Sequence, residues 1–228
     1  MKTIEARQLV KDYRIKTITV NALRGVDFIA ESGEFTAIAG PSGSGKSTLL
    51  HLIGCLDTAT QGEIYLDGEN IASLNMNQRA RIRREKIGII FQAYNLIPVL
   101  TALENVGFPL TLLGHSQKEI REKSYKLLKA VGLEGMENRK PVELSGGQQQ
   151  RIAIARSLVK NPTIVLADEP TANLDSKTGR EILNLMKELN EENKTTFLFA
   201  THDPMVMERA DRVVILHDGK IIEDNRNN

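Results

Sequence analysis

Short apolar segments rich in β-branched residues open the chain, at Ile4 to Val10, Ile15 to Val20 and Val26 to Ile29. Their close spacing predicts antiparallel strands. Phe35-Thr36-Ala37-Ile38-Ala39 reads as a strand, and Thr48 to Ile53, beyond a Gly/Ser-rich loop, as a helix. Gly62 to Gly68 is a short strand ending in an Asp-Gly turn. Asn75 to Lys86 is polar, and Ile87 to Phe91 reads as a buried strand. From Ala93 to Leu144 the texture changes to a helical insertion punctuated by Gly114, Gly132, Gly135 and Pro141. The last third alternates: a helix from about Gly147 to Lys160, a strand at Thr163 to Ala167, and a helix at about Lys177 to Glu191. Ile182, Leu185, Met186 and Leu189 fall on one face of that last helix. A strand at Thr196 to Thr201 and a hairpin around Asp218-Gly219 follow, and Asn225 to Asn228 is expected to be a frayed tail. Alternating strands and helices imply an α/β fold with a parallel sheet covered on both sides.

The 228 residues suffice for one large domain with a proper core, and 41% hydrophobic with 26% charged residues reads as globular. A net charge of +1 gives no global case for nucleic acid or an anionic membrane surface. The basic run Arg79, Arg81, Arg83, Arg84, Lys86 lacks interleaved aromatics and reads as a solvated helix face, so no nucleic-acid partner is expected. Cys55 is the single cysteine, so an internal disulfide is excluded and an inert, buried thiol expected. No apolar run approaches the ~20 residues that span a bilayer. Met1 to Arg7 contains no apolar signal segment. Any membrane role is therefore expected to work through a partner.

Gly40-Pro41-Ser42-Gly43-Ser44-Gly45-Lys46-Ser47 matches G-x-x-x-x-G-K-[ST] between a predicted strand and a predicted helix. Backbone N–H groups of such a loop wrap a phosphate at the positive end of the helix. Lys46 is expected to reach the β- and γ-phosphates, and the Ser47 hydroxyl to ligate Mg²⁺. Ile164 to Ala167 delivers two carboxylates, Asp168 to hold Mg²⁺ and Glu169 to orient or deprotonate an attacking water. Thr196 to Thr201 delivers His202, expected to contact the γ-phosphate. Ligand sites in parallel α/β sheets lie beyond the carboxyl ends of the strands, which brings these groups to one edge.

Leu144-Ser145-Gly146-Gly147-Gln148 is a second helix start built for an anion, with Ser145 as cap and two glycines permitting close approach. One nucleotide needs one cradle. The spare one points to a γ-phosphate presented by another molecule, hence an ATP-dependent dimer.

With both cradles, the chain resembles the nucleotide-binding subunit of an ATP-binding cassette (ABC) transporter over nearly its whole length. The resemblance implies a phosphate-loop, RecA-like core with a mainly parallel sheet, an N-terminal antiparallel β subdomain and an α-helical subdomain. Residues 1–92 and 145–228 would form the ATP-binding core and 93–144 the helical part of a single ABC ATPase domain. It further implies ATP bound by Gly40 through Thr48, Tyr13 stacked on adenine, and Gln92 in the loop that senses Mg²⁺ and couples to the membrane subunit. Ser145, Gly146, Gly147 and Gln148 would contact nucleotide from a second copy in a head-to-tail dimer, and Asp175 would lie in the segment crossing the interface. His202 matches the switch histidine.

Phe91 to Pro98, Leu100 to Val106, Arg83 to Gly88 and Ile53 to Asp57 resemble the MacB/LolD-type subgroup of macrolide-export and lipoprotein-release ATPases. Ala93-Tyr94 departs from the more frequent Gln-Phe. The subgroup implies a mechanical stroke on an integral membrane permease, with this chain peripheral on the cytoplasmic face of the plasma (inner) membrane. The chain carries no fused membrane domain, so a separate subunit is expected. A cell-division-type cassette regulating a wall hydrolase shares these mechanics. A soluble ABC protein of repair or translation would usually carry a coiled-coil insertion or two cassettes. A phosphate-loop kinase has no reason to carry Leu144 to Gln148.

Overall fold

The computed structural model describes residues 1–227. Strands β1 (Lys2–Ile15) and β2 (Ile18–Glu31) pair antiparallel as one long hairpin. The predicted segment Ile15 to Val20 is therefore the hairpin's tip and not a strand of its own, with the chain reversing at Lys16 (φ 55°). Register shifts near Ala6/Leu9 and Lys11/Asp12 change which residues face inward, so one long strand reads in the sequence as several short ones. β4 (Gln61–Leu66) and β5 (Glu69–Asn70) complete a sheet ordered β2-β1-β4-β5.

The second sheet is built from β3 (Phe35–Ala39), β6 (Ile87–Ile90), β7 (Ile164–Asp168), β8 (Thr196–Thr201), β9 (Arg212–His217) and β10 (Lys220–Arg226). Its order is β10-β9-β3-β8-β7-β6, parallel throughout except for the β9–β10 hairpin. Helices α1 (Lys46–Ile53), α2 (Met76–Lys86), α3 (Ala102–Leu112), α4 (Gln117–Ala130), α5 (Gly146–Leu158), α6 (Ser176–Asn193) and α7 (Pro204–Arg209) connect the strands.

Every residue of β3 and β8 is buried, as expected where helices or sheets cover both faces. Alternate side chains divide between two cores. Phe35, Ala37, Val165, Ala167, Phe197 and Phe199 face the cluster that includes α3 to α6, with the Phe35 and Phe199 ring centroids 4.5 Å apart. Ile38, Ile164, Leu166, Leu198 and Ala200 face the other way, onto α1 and the antiparallel sheet. Each large side chain removed from water in this way contributes roughly 1.5–3 kcal/mol, so the sheet holds its strand ends rigidly.

Four helices start with reciprocal capping boxes: Asn75/Gln78 on α2, Thr101/Glu104 on α3, Ser116/Glu119 on α4 and Ser145/Gln148 on α5. Buried Asn105 fixes the loop before α3. Its amide donates to the carbonyls of Ile97, Leu100 and Thr101, and its oxygen accepts from the Ile97 N–H.

Two expectations are corrected. The C-terminal segment is paired: Asn225 and Arg226 lie in β10, Arg226 reaches Glu34 at 3.1 Å, and the Asn227 amide donates to the Met207 and Ala210 carbonyls. Asn228 lies outside the described residues. The basic run on α2 is fully exposed only at Arg81 and Arg84 and half-buried at Arg79, Arg83 and Lys86, where Arg83 donates to the Cys55 carbonyl at 2.6 Å and Lys86 pairs with Glu69 at 3.0 Å. Among the described residues no helix is long and apolar enough to cross a membrane.

Candidate functional site

β3, β8 and β7 are neighbours, with Ala39 beside Thr201 and Ala200 beside Asp168. Their carboxyl ends stop at one edge and deliver the Gly40 loop, Asp168-Glu169 and His202 to one place.

The loop's shape is carried by Gly40 (φ 151°) and Gly45 (φ 107°). A Cβ at Gly40 would stand 2.1 Å from the Leu216 carbonyl oxygen, and one at Gly45 would stand 2.5 Å from that of Ala22. Only glycine lets the loop press so close to β9 and β2. Pro41, Ser42 and Gly43 form the exposed rim, while Ser44 is buried with a hydroxyl that has no hydrogen-bond partner. An orphaned hydroxyl inside a glycine cradle fits a phosphate-bearing ligand.

Lys46 is buried and donates to the carbonyls of Gly40 (2.8 Å) and Pro41 (2.9 Å). Burial pushes its ammonium pKa down, with the Glu169 and Asp168 carboxylates opposing. Ser47 Oγ donates to Asp168 Oδ1 at 3.0 Å. Among the described residues no three His, Cys, Asp or Glu side chains cluster to enclose a metal. A hydroxyl beside one carboxylate suits Mg²⁺, which keeps waters and takes phosphate oxygens as its remaining ligands.

Glu169 adopts a left-handed conformation (φ 47°), the kind of backbone strain that concentrates at functional sites. Both its carboxylate oxygens are engaged: Oε1 lies 2.5 Å from His202 Nδ1, and Oε2 accepts from Thr201 Oγ1 at 3.1 Å. The His202 side chain is 71% exposed and Glu169 15%, so the pair spans the boundary between sheet edge and solvent.

The second cradle stands elsewhere. Ser145 caps α5, its Oγ accepting from the Gln148 N–H at 3.4 Å while Gln148 Oε1 accepts from the Ser145 N–H at 2.9 Å. A Cβ on Gly146 would meet Tyr94 Oη at 2.9 Å, and one on Gly147 would meet Thr178 Cγ2 at 2.6 Å. The turn's neighbours are thus Tyr94, Leu174 and Thr178, none of them from the phosphate loop.

The profile of the ABC transporter family matches residues 23–172 of this chain. The chain belongs to the ABC transporter family. The uncharacterized ABC transporter ATP-binding protein MJ0796 of Methanocaldococcus jannaschii is 47% identical over 227 residues, 98% of this chain and 97% of that protein. The lipoprotein-releasing system ATP-binding protein LolD of Legionella pneumophila is 47% identical over 218 residues, 96% of each. The macrolide export ATP-binding/permease protein MacB of Escherichia coli is 46% identical over 98% of this chain, which spans 34% of the MacB length. A dimeric, post-hydrolysis structure of the ATP-binding cassette MJ0796 bound to ADP and Pi has a TM-score of 0.90 over 98% of both chains, at 46% identity. The ABC fold expected from the sequence, with an antiparallel sheet beside a parallel core, is the one observed.

The remaining candidates of this ABC cassette occupy three positions. Gln92 is exposed, its carbonyl accepting from the Asn173 amide at 2.8 Å. Asp175 caps α6, accepting from the Lys177 and Thr178 N–H groups at 3.0 Å. Tyr13 is half-buried and donates to Asp57 Oδ2 at 2.9 Å.

Sequence reasoning missed Thr201, although it adjoins His202, because only the paired strands reveal that its hydroxyl faces Glu169. It also missed Arg156 on α5. That guanidinium donates to the carbonyls of Asn95 (2.5 Å) and Tyr94 (2.7 Å), tying the loop after Gln92 to the helix that begins at Ser145. Burial holds its pKa below the usual arginine range.

Proposed function

We propose that two copies of this ABC cassette close head to tail around two ATP molecules. Hydrolysis then reopens the pair and drives a membrane permease of the macrolide-export or lipoprotein-release kind from the cytoplasmic face of the membrane. One observation carries this reading: the chain has two glycine-bearing helix starts suited to an anion, at Gly40–Ser47 and at Ser145–Gly147, whose glycines have different neighbours. A single nucleotide needs both only when they come from different copies.

In that arrangement Gly40 to Thr48 wrap the phosphates, Lys46 exchanges its carbonyl partners for phosphate oxygens, and Tyr13 stacks on adenine. Ser47 and Asp168 would hold Mg²⁺, with Gln92 turning inward toward it. Bound Mg²⁺ neutralises charge developing on the phosphates. Glu169, released from Thr201 or His202, orients the attacking water and takes its proton, while His202 moves to the γ-phosphate. Ser145, Gly146, Gly147 and Gln148 close the site from the other copy, and Asp175 lies along the crossing segment. The names of the relatives, and the ADP and Pi bound to dimeric MJ0796, support this reading.

Residues 93–144 would form the helical part that carries the permease's push. Beside it, Leu56, Arg83, Phe91, Phe108, Leu112 and Lys160 line a groove of about 560 Å³, apolar with basic edges, suited to a permease segment. Lys160 lies over the Arg83 and Arg84 carbonyls there, and burial pushes its pKa down to about 8.

Lys46→Ala tests the phosphate loop. Calorimetric titration is expected to give at least a tenfold loss of ATP affinity, about 1.4 kcal/mol. Undiminished ATP binding by that variant would contradict the assignment. Chelation of Mg²⁺ is expected to abolish hydrolysis by the unmodified protein, and turnover in its absence would remove Ser47 and Asp168 from their proposed role.

A further inference from the structure

Around Tyr13 lies a cluster that neither phosphate cradle uses. Asp57 sits in the turn after α1, three residues beyond Gly54, and faces β1. Its Oδ1 accepts from Lys11 Nζ at 2.8 Å and its Oδ2 from the Tyr13 phenol at 2.9 Å. Lys11 is only 8% exposed, donates also to the Thr58 carbonyl at 2.8 Å, and holds its ammonium 4.7 Å from the Tyr13 ring centroid. Burial raises the Tyr13 phenol pKa, the Asp57 bond adds to this, and the Thr48 hydroxyl opposes. The phenol is thus a firm donor at neutral pH.

We propose that Asp57, braced by Lys11, is a positioning residue for nucleobase recognition. It fixes the Tyr13 ring relative to the phosphate loop, so that ring and cradle together measure out an adenine nucleotide. The inference rests on Tyr13 being the adenine platform.

Three physical features support it. Tyr13 lies near the tip of the β1–β2 hairpin, beyond the last β1–β4 pair at Val10, where only β2 pairs with β1, and immobilising a loosely held side chain on binding costs affinity. The Asp57 bond supplies that order in advance. The turn carrying Asp57 follows α1 directly, where the Gly54, Leu56 and Asp57 N–H groups donate to Leu50 and His51 carbonyls. The ring's position is therefore referenced to the helix whose first turn forms the phosphate cradle. Finally, the ammonium lies against the ring's π-system. That draws electron density toward it and favours stacking of an electron-rich purine on the opposite face.

The test measures ATP and tripolyphosphate binding by calorimetry for the unmodified protein, Tyr13→Ala, Tyr13→Phe, Asp57→Ala and the Tyr13→Phe/Asp57→Ala double variant. Tyr13→Phe keeps the ring and removes only the bond, so it reports even where Asp57→Ala perturbs folding. Expected are a loss of about tenfold or more in ATP affinity for Tyr13→Ala and about threefold for Tyr13→Phe and for Asp57→Ala. The double variant should lose no more than either single one, and tripolyphosphate should bind all variants equally. ATP affinity unchanged in Tyr13→Ala would overturn the adenine platform and this inference with it. A loss in Tyr13→Ala with none in Tyr13→Phe would keep the platform and overturn the positioning role. An equal loss for tripolyphosphate in Tyr13→Phe would also overturn it, since the bond would then serve the phosphate cradle.

Discussion

At the scale of single residues, which groups reach the common sheet edge could be read from the chain, and how their side chains pair there could not. Gly40 to Ser47 was legible because eight consecutive residues build the cradle from their own backbone. The state of Glu169 was not. Its partners Thr201 and His202 lie 32 and 33 positions away and meet it only because β7 and β8 pair in register. Cys55 is a residue-level expectation that gains a number. Burial pushes its thiol to about 11, and the Arg83 and Arg79 guanidiniums only partly offset this. Thiolate is the reactive form, so at pH 8 the folded protein is expected to resist a disulfide reagent for hours and react promptly once denatured. Stoichiometric colour within seconds in native buffer would contradict a buried thiol.

Among the elements, helices and buried strands announced themselves through caps and apolar runs, whereas the hairpin β1–β2 did not. Its bulges shift the inward-facing set, and a reading based on strict alternation breaks a fourteen-residue strand into fragments. The hairpin around Asp218-Gly219 was legible, and only the ordered end of its second strand, at Asn225 and Arg226, was hidden, for a different reason. Its residues are exposed and polar, and backbone pairing to β9 plus ion pairs to Glu31 and Glu34 hold it in place. The glycines of the Ser145 turn also gained a second reason. Besides allowing an anion close, Gly147 lets α5 pack on α6, where Thr178 Cγ2 stands 2.6 Å from any added Cβ. Gly147→Ala is thus expected to destabilise the fold by about 1–3 kcal/mol through overpacking. Adding Thr178→Ser, which keeps the hydroxyl bonded to Asp175 and deletes the methyl, should recover most of the loss. Urea midpoints of the two variants check this, and no recovery in the double variant would place the strain elsewhere.

Over the whole molecule, the sheet order β3-β8-β7 explains why motifs far apart in sequence share one edge. It also explains why the site is incomplete. In the proposed site the phosphate loop would be the floor and Asp168, Glu169 and His202 would supply the chemistry, while the turn suited to be the lid faces Tyr94, Leu174 and Thr178 instead. Arg156 and Asn173 join that turn's surroundings to the loop of Gln92, so in the proposed dimer a lid closing on a partner's nucleotide would pull on the groove beside α3. Closure and permease motion are then one event, driven by the difference in ATP affinity between open and closed pairs. The most direct test of the half-site is the molar mass of Glu169→Gln by size-exclusion chromatography with light scattering, with ATP and then with ADP. The account predicts twice the 25.4 kDa chain mass with ATP, a single chain with ADP, and ATP binding without turnover. A single chain under ATP that still hydrolyses it would contradict a site built from two copies.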